Sequence, residues 1–143
     1  MKGPKHPKTE FLPRPLKVPR VEPKIEGLPL AWRFSSADRN GPWSFQELLD
    51  GTRLKDVLLR LLEFESKAWN DILQTGSHKV EKARLSPAAK RRLSEIEQDD
   101  VDELMSYRVT GRIRVWCIPH ANIMRLLWWD PNHEVCPSLK KHT

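Results

Sequence analysis

Arginine and tryptophan fill the polar positions of one segment near the C-terminus, Tyr107–Val135. Within it, Arg112, Arg114 and Trp116 alternate with apolar residues, the period-two pattern of a half-buried strand. Guanidinium groups form paired hydrogen bonds with phosphate oxygens, and indole rings stack on unpaired bases. The segment therefore predicts a surface that binds the backbone and bases of a single-stranded nucleic acid.

The composition of that surface depends on how two predicted strands pair. The apolar run 123–129 follows a turn and predicts a central strand. Burying its one arginine without a partner costs several kcal/mol, which favours a register that keeps Arg125 on the outer face. In that register Val115 lies opposite Leu126. The core then receives Met124, Leu126 and Trp128, and the outer face receives Arg112, Arg114, Trp116, Arg125 and Trp129. A solvated or helix-covered face with cation–π pairs is an open alternative.

Histidines close to this segment supply groups that can transfer protons. Cleavage of RNA by its own 2′-hydroxyl needs that oxygen deprotonated, the phosphate charge stabilised and the leaving oxygen protonated. Imidazoles suit the first or third task and arginines the second. His120, His133 and His142 are the candidates, although each is also open to interpretation as an ordinary surface histidine. Lys140 and Lys141, beside His142, are counted with the RNA-binding residues.

One set of residues has the types and number of a tetrahedral zinc site: Cys117, His120, His133 and Cys136. The predicted strand 123–129 argues against it. A strand rises about 3.3 Å per residue, so it separates the two turns that carry the histidines by about 20 Å. We therefore predict no metal. The sequence also has no phosphate-binding glycine loop or dinucleotide fingerprint, and we predict no cofactor.

Helix caps and hydrophobic periodicity predict the elements that position these residues. In order, they are a strand at 28–34, a short helix from Ser44 to Gly51, a helix capped by Thr52 with the apolar stripe Val57, Leu58, Leu61, Leu62 and Phe64, further helical turns capped by Ser66, a helix from Ser86-Pro87 to about Glu97, and strands at 112–117, 123–129 and 133–136. Residues 78–84 are open between loop and short strand. The order predicts an α+β fold with helices on one face of a small antiparallel sheet.

Composition divides the 143 residues into an arm and one domain. Residues 1–27 contain six prolines and seven Lys or Arg against three Glu, which predicts a basic, disordered arm. Residues 28–143 are nearly balanced in charge and are predicted to form a single domain. No run of about 18 apolar residues occurs, and the first residues lack the apolar core of a signal peptide, so we expect a cytoplasmic protein.

The order of elements, with Arg125-Leu-Leu-Trp-Trp leading into a turn and a short last strand that ends in Lys140-Lys141-His142-Thr143, resembles the RelE/ParE superfamily of bacterial toxins. The resemblance covers about residues 28–143. It implies a small antiparallel sheet packed against helices and, for the RelE branch, cleavage of messenger RNA on the ribosome. It also implies a cognate antitoxin as partner. By position, Arg125 and His142 match best, followed by Arg112 and Arg114.

The sequence therefore predicts a ribosome-dependent, metal-independent endoribonuclease toxin. Arginines 112, 114 and 125 would hold the phosphate, Trp116 or Trp129 would stack on a base, and His133 or His142 would transfer a proton. Two alternatives stay open. One is a non-catalytic protein- or RNA-interaction module that uses the same arginine and tryptophan face. The other is a ParE-type toxin that inhibits gyrase.

Overall fold

Five strands form one sheet in the computed structural model, which describes residues 28–137. The strands are β1 (Ala31–Arg33), β2 (His78–Glu81), β3 (Glu103–Thr110), β4 (Ile113–His120) and β5 (Ile123–Asp130). The helices are α1 (Phe45–Asp50), α2 (Leu54–Glu65), α3 (Trp69–Gln74) and α4 (Pro87–Glu95), and a 3₁₀ turn spans Lys82–Arg84. The predicted arm (1–27) and Lys140, Lys141 and His142 lie outside the described residues.

The sheet has the order β1-β5-β4-β3-β2, in which β1 runs parallel to β5 and the other neighbours are antiparallel. The predicted α+β class is confirmed. The prediction of an entirely antiparallel sheet is wrong, because β5 runs in the same direction as its neighbour β1. The four helices and the other three strands lie between these two strands in the chain. The segment left open at 78–84 contains both β2 and the 3₁₀ turn.

Two helices begin at the serines that the sequence indicated. The Ser44 hydroxyl accepts a hydrogen bond from the Gln46 backbone N–H at 2.9 Å, and the Ser86 hydroxyl accepts one from Ala89 at 3.1 Å. Each bond satisfies a backbone donor that the first helical turn leaves free. Pro87 occupies the first turn of α4, where its missing N–H costs nothing.

Two predicted helix caps are wrong. Arg53, not Thr52, precedes α2, and its side chain makes no capping bond. Ser66 ends α2 instead of starting α3, because its hydroxyl donates to the Glu63 carbonyl at 2.9 Å. That bond satisfies one of the carbonyls left free by the last helical turn.

The three-strand meander is β3, β4 and β5, so it lies one strand earlier than predicted. The strand predicted at 133–136 does not form. The backbone N–H groups of Glu134 and Val135 instead donate to the Asp130 carboxylate, at 2.8 and 2.9 Å. The Asp130 side chain therefore accepts the hydrogen bonds that these N–H groups would have donated to a neighbouring strand.

Helices pack on both faces of the sheet, whereas the sequence predicted one covered face. The first face carries Tyr107, Val115 and Leu126, which pack with α1, α2 and α3. The second face carries Trp116 and Trp128, which form a separate core with α4. The long strands must be apolar on both sides to serve two cores, which explains the continuous apolar run of β5.

A β-bulge at Leu127 sets which face each β5 residue occupies. Trp116 pairs with Trp128 and Cys117 pairs with Leu126, so Leu127 has no partner of its own on β4. The alternation reverses at this point. Trp129 therefore joins Leu126 in the first core, and Trp128 lies in the second. Val115 is opposite Trp129, not Leu126, and Leu126 is opposite Cys117, so the predicted register is wrong on both sides of the bulge.

Buried carboxylates hold the second core together. Asp38 accepts two bonds from the Arg92 guanidinium, both at 2.8 Å, and one from the Trp128 indole at 2.9 Å. Burial alone would raise the pKa of Asp38. The bonds from Arg92, Trp128 and the Asn40 backbone, with the Arg92 charge, outweigh burial and hold the pKa below its ordinary value. Asp38 thereby joins the loop after β1 to both α4 and β5.

We predict that Asp38→Asn lowers the free energy of unfolding at pH 7 by about 3 kcal/mol, because it leaves the Arg92 charge without its buried partner. Equilibrium urea unfolding of the full chain measures this loss. Glu95→Gln is the matched control: Glu95 also bonds Arg92, at 2.9 Å, but its side chain is half exposed. We expect that control to cost less than about 0.5 kcal/mol. Equal losses in the two variants would contradict the role of Asp38.

The difference in stability between wild type and Asp38→Asn also depends on pH. A carboxyl whose pKa is lowered by folding adds stability that is complete above its unfolded pKa of about 3.9 and disappears as the pH falls through the folded pKa. The advantage of wild type over Asp38→Asn should therefore shrink only below about pH 4.

The Tyr107 hydroxyl is a buried polar group without a hydrogen-bond partner among residues 28–137, as is the neighbouring Trp32 indole N–H. The Tyr107 ring packs at 5.1 Å, centroid to centroid, from both Trp32 and Phe64. Tyr107→Phe removes the unsatisfied hydroxyl and keeps the ring, so we predict a gain of about 1 kcal/mol in urea unfolding. Tyr107→Leu, which loses the ring contacts, should destabilise. A clear loss in Tyr107→Phe would show that the hydroxyl finds a partner in solution.

Candidate nucleic-acid interface

The turn between β3 and β4 carries two of the predicted arginines. Thr110 pairs with Ile113, so Gly111 and Arg112 form the tip of the hairpin. Gly111 has φ +52°, in the left-handed region, while a Cβ added there would meet no atom within 4 Å. Backbone conformation, not crowding, therefore favours glycine at this tip. The tight turn leaves Arg112 exposed at the end of the sheet.

Arg108 and Arg114 lie side by side next to this tip. Their Cα atoms are register partners on β3 and β4. Arg108 donates from Nε to the Gly111 carbonyl at 3.2 Å, and Arg114 donates from Nη1 to the same oxygen at 2.7 Å. Two guanidinium groups thus converge on one neutral acceptor. We call Arg108, Arg112 and Arg114 the arginine hairpin.

The charge of the arginine hairpin is not neutralised by direct contact. No ion pair within residues 28–137 includes any of its three members. The Nε atom of Arg114 is buried and has no hydrogen-bond partner in this part of the chain. Burial, and then the charge of Arg108, lower the pKa of Arg114, and Asp130 opposes them. An anion placed here would, like Asp130, favour the charged form of Arg114.

Neighbouring residues fix the position of Arg108. Its backbone N–H donates to the Ser77 hydroxyl at 2.9 Å, and its carbonyl accepts from Arg60 Nε at 3.1 Å. The Arg108 side chain also passes over Gly76, where a Cβ would come within 2.8 Å of Arg108 Cδ. Gly76 therefore provides the space in which this guanidinium reaches Gly111.

His133 belongs to the same end of the sheet. It follows β5 by three residues, in a turn closed by the bonds from Glu134 and Val135 to Asp130. Asp130 is in turn the register partner of Arg114. His133 has φ +58° and is partly exposed. The fold thus places His133 three residues beyond the register partner of Arg114.

Arg125 lies at the opposite end of the second face. Five residues of β5 separate it from Asp130, a distance of about 16 Å along a strand. It pairs in register with Arg33 of β1. Burial, and then the Arg33 charge, lower the pKa of Arg125, and the Asp100 charge opposes them. The Nε atom of Arg125 is buried and has no hydrogen-bond partner within residues 28–137. The predicted group of three arginines is therefore divided between two sites.

The predicted stacking residues are not on an outer face. Trp116 is 1% exposed and Trp129 is 5% exposed, because each belongs to one of the two cores. The Trp116 indole also donates to Asp130 at 3.1 Å. Placing both tryptophans outside was wrong, since both faces are covered and the bulge turns Trp129 inward. Neither indole presents a ring face to a base.

The four residues of the zinc-like pattern do not converge. Cys117 is buried in the core of the first face, whereas Cys136 packs against the core of the second. The Cys136 thiol donates to the Arg84 carbonyl at 3.3 Å. Within residues 28–137, no three His, Cys, Asp or Glu side chains are grouped so that they could hold a metal ion.

Sequence reasoning missed Arg108 and Arg33 as neighbours of the predicted arginines. Arg108 was missed because strand β3 was not predicted, and Arg33 because the pairing of β1 with β5 spans some 90 residues of chain. The alternation of β3 from Leu104 to Val109 was the available signal for Arg108.

Comparison with protein-family models, with curated proteins and with solved structures found no match to this chain. Among residues 28–137, no helix has both the length and the apolar character needed to cross a membrane.

Proposed function

We propose that this protein binds the phosphate backbone of RNA at the arginine hairpin. The observation that carries the proposal is the convergence of Arg108 and Arg114 on the Gly111 carbonyl, with no ion pair to a carboxylate among residues 28–137. Like charges at this separation repel each other, and the repulsion is strongest where solvent is partly excluded. A phosphate oxygen that contacts the accessible ends of these guanidinium groups would offset that repulsion.

An extended polyanion fits the arrangement better than a single small anion. The pair Arg33–Arg125 repeats the same features about 16 Å away along the second face: adjacent guanidinium groups and a buried Nε without a partner among the described residues. Two such sites suit a chain of phosphates that contacts both. Binding through phosphates gives affinity with little sequence preference and a strong dependence on salt.

We predict that Arg114→Ala weakens binding of the full chain to a 20-nucleotide single-stranded RNA by about three- to tenfold and lowers the slope of log K against log salt by about one. Fluorescence anisotropy at several salt concentrations measures both. Arg112→Ala should act in the same direction and is the safer variant for folding, because Arg112 is exposed. A matching DNA oligonucleotide tests whether RNA is preferred, and equal affinities would reduce the proposal to nucleic acid in general.

The control for these variants is Arg39→Ala, which removes one positive charge from an exposed position in the loop before α1. Its affinity should stay within twofold of wild type. If Arg39→Ala and the hairpin variants lose affinity equally, binding depends on overall charge and the specific site is rejected.

A second candidate is the endoribonuclease toxin that the sequence predicted, acting at this same end of the sheet. The position of His133 in the turn beside Arg114's register partner favours it. In this proposal Arg112 and Arg114 hold the phosphate during attack by the 2′-hydroxyl, and His133 transfers a proton. A cognate antitoxin would neutralise the toxin by covering the arginine hairpin. Arg125 would contact RNA outside the cleavage site.

We predict that induced expression of wild type in bacteria stops growth and produces new 5′ ends on messenger RNA, and that His133→Ala and Arg114→Ala abolish both. Arg125→Ala should keep its cleavage positions, because Arg125 is too far from His133 to act on the same phosphate. Arrest without new ends would point to gyrase inhibition, which a supercoiling assay checks. Normal growth of cells that express a protein still able to bind RNA would favour the alternative of a non-catalytic RNA-interaction module.

A further inference from the structure

Strand β2 places a histidine on the same face of the sheet as Arg108 and Arg114. Val80 of β2 pairs with Leu104 of β3, and both belong to the core of the second face. Side chains alternate along a strand, so His78, two residues before Val80, points to that face as well. Val80 is buried, whereas His78 is exposed. The second face is therefore covered at Val80 and open to solvent at His78.

His78 and Arg108 are diagonal neighbours across the two strands. The register partner of His78 is Ser106, and Arg108 lies two residues further along β3. Diagonal neighbours are about 7 Å apart, a distance that long side chains can bridge. On the opposite face of the same two strands, Lys79 contacts its own diagonal neighbour Glu103 at 3.4 Å. The pairing thus brings the His78 imidazole and the Arg108 guanidinium within reach of one phosphate group.

The two residues before His78 fix the position of the Arg108 side chain. A Cβ added to Gly76 would come within 2.8 Å of Arg108 Cδ. Gly76 and His78 are two residues apart and share a face, so the Arg108 side chain lies on the side to which His78 points. The buried Ser77 hydroxyl accepts the Arg108 backbone N–H at 2.9 Å. Three consecutive residues therefore surround this one arginine.

The charged groups around His78 favour a bound anion. From β3, Arg108 faces it with a positive charge, and Arg60 of α2 reaches the Arg108 carbonyl at 3.1 Å. The carboxylates of the two strands, Glu81 and Glu103, are register partners that alternate to the opposite face. Within residues 28–137, no ion pair and no side-chain hydrogen bond includes His78. Its imidazole is therefore available to a ligand.

We propose that His78 is a proton-dependent phosphate contact of the arginine hairpin. Imidazole side chains change charge between about pH 5 and 8. The protonated ring donates from both nitrogens and carries a positive charge, whereas the neutral ring donates from one and carries none. RNA should therefore bind more tightly when His78 is protonated, and this advantage should disappear as the pH rises. The inference rests on the proposed function, since it requires RNA phosphates at the arginine hairpin.

Fluorescence anisotropy of the full chain with the 20-nucleotide single-stranded RNA, at pH 5.5 and pH 8.0, tests the proposal. His78→Gln should bind within twofold of wild type at pH 8.0 but about threefold more weakly at pH 5.5, with a slope of log K against log salt lower by about 0.7 at that pH. His78→Arg carries a charge at both pH values. It should bind about threefold more tightly than wild type at pH 8.0, because it supplies the phosphate contact that the neutral imidazole lacks.

Lys79→Gln is the matched control, because Lys79 is the next residue of β2 and points to the opposite face. It should stay within twofold of wild type at both pH values. Circular dichroism at each pH confirms that every variant is folded. Equal losses at pH 5.5 in His78→Gln and Lys79→Gln would show an effect of overall charge and overturn the proposal.

Arg114→Ala separates failure of this inference from failure of the arginine hairpin as a binding site. If Arg114→Ala weakens binding at pH 8.0 while His78→Gln retains the full pH dependence of wild type, the hairpin binds RNA and His78 has no part in it. The same conclusion follows if His78→Arg binds no more tightly than wild type at pH 8.0. If Arg114→Ala has no effect at either pH, both the hairpin site and the role of His78 are rejected.

Discussion

The carboxylate of Asp38 is the contact on which the second half of the fold depends. It joins a loop near the start of the described chain to Arg92 on α4 and to Trp128 in the centre of the sheet. Asp130 has a similar role near the end, where it accepts from the Trp116 indole and from two backbone N–H groups. A buried indole needs an acceptor for its N–H, and these carboxylates supply one to each of the two tryptophans paired across β4 and β5.

Covering both faces restricts where a ligand can bind. The middle of the sheet is occupied by helices, so arginines can reach solvent only where strands end. The arginine hairpin and the pair Arg33–Arg125 are at such ends, on the same face. The sheet is therefore not a flat stacking platform, because its tryptophans are buried in the two cores and its arginines lie at the ends of strands. The proposed binding therefore depends on contacts between arginines and phosphates, and neither Trp116 nor Trp129 stacks on a base.

Local signals in the sequence predicted elements well where the physical cause was local. Ser44 and Ser86 start helices because a hydroxyl satisfies nearby backbone donors, and the α2 stripe follows from helical spacing. Strand β3 was missed although Met105, Tyr107 and Val109 alternate with polar residues, because the strand begins inside the acidic segment that was predicted to be a linker. The bulge at Leu127 could not be read from spacing, since both Trp128 and Trp129 are apolar in either register. Arg112 and Arg114 were predicted together and lie together in the arginine hairpin, but Arg125 is separated from them by an along-strand distance that only the correct pairing reveals.

The bulge at Leu127 places two consecutive residues of β5 on one face of the sheet, because Leu127 and Trp128 both belong to the second core. Exchanging one apolar side chain for another of similar size at this position changes local packing only. Removing the residue would restore regular alternation and leave Trp128, Trp129 and Asp130 on the faces they occupy now. The second core would lose one leucine, but neither tryptophan would change core. Related chains that share this fold should therefore be able to lack the bulge residue and still keep the two tryptophans in separate cores.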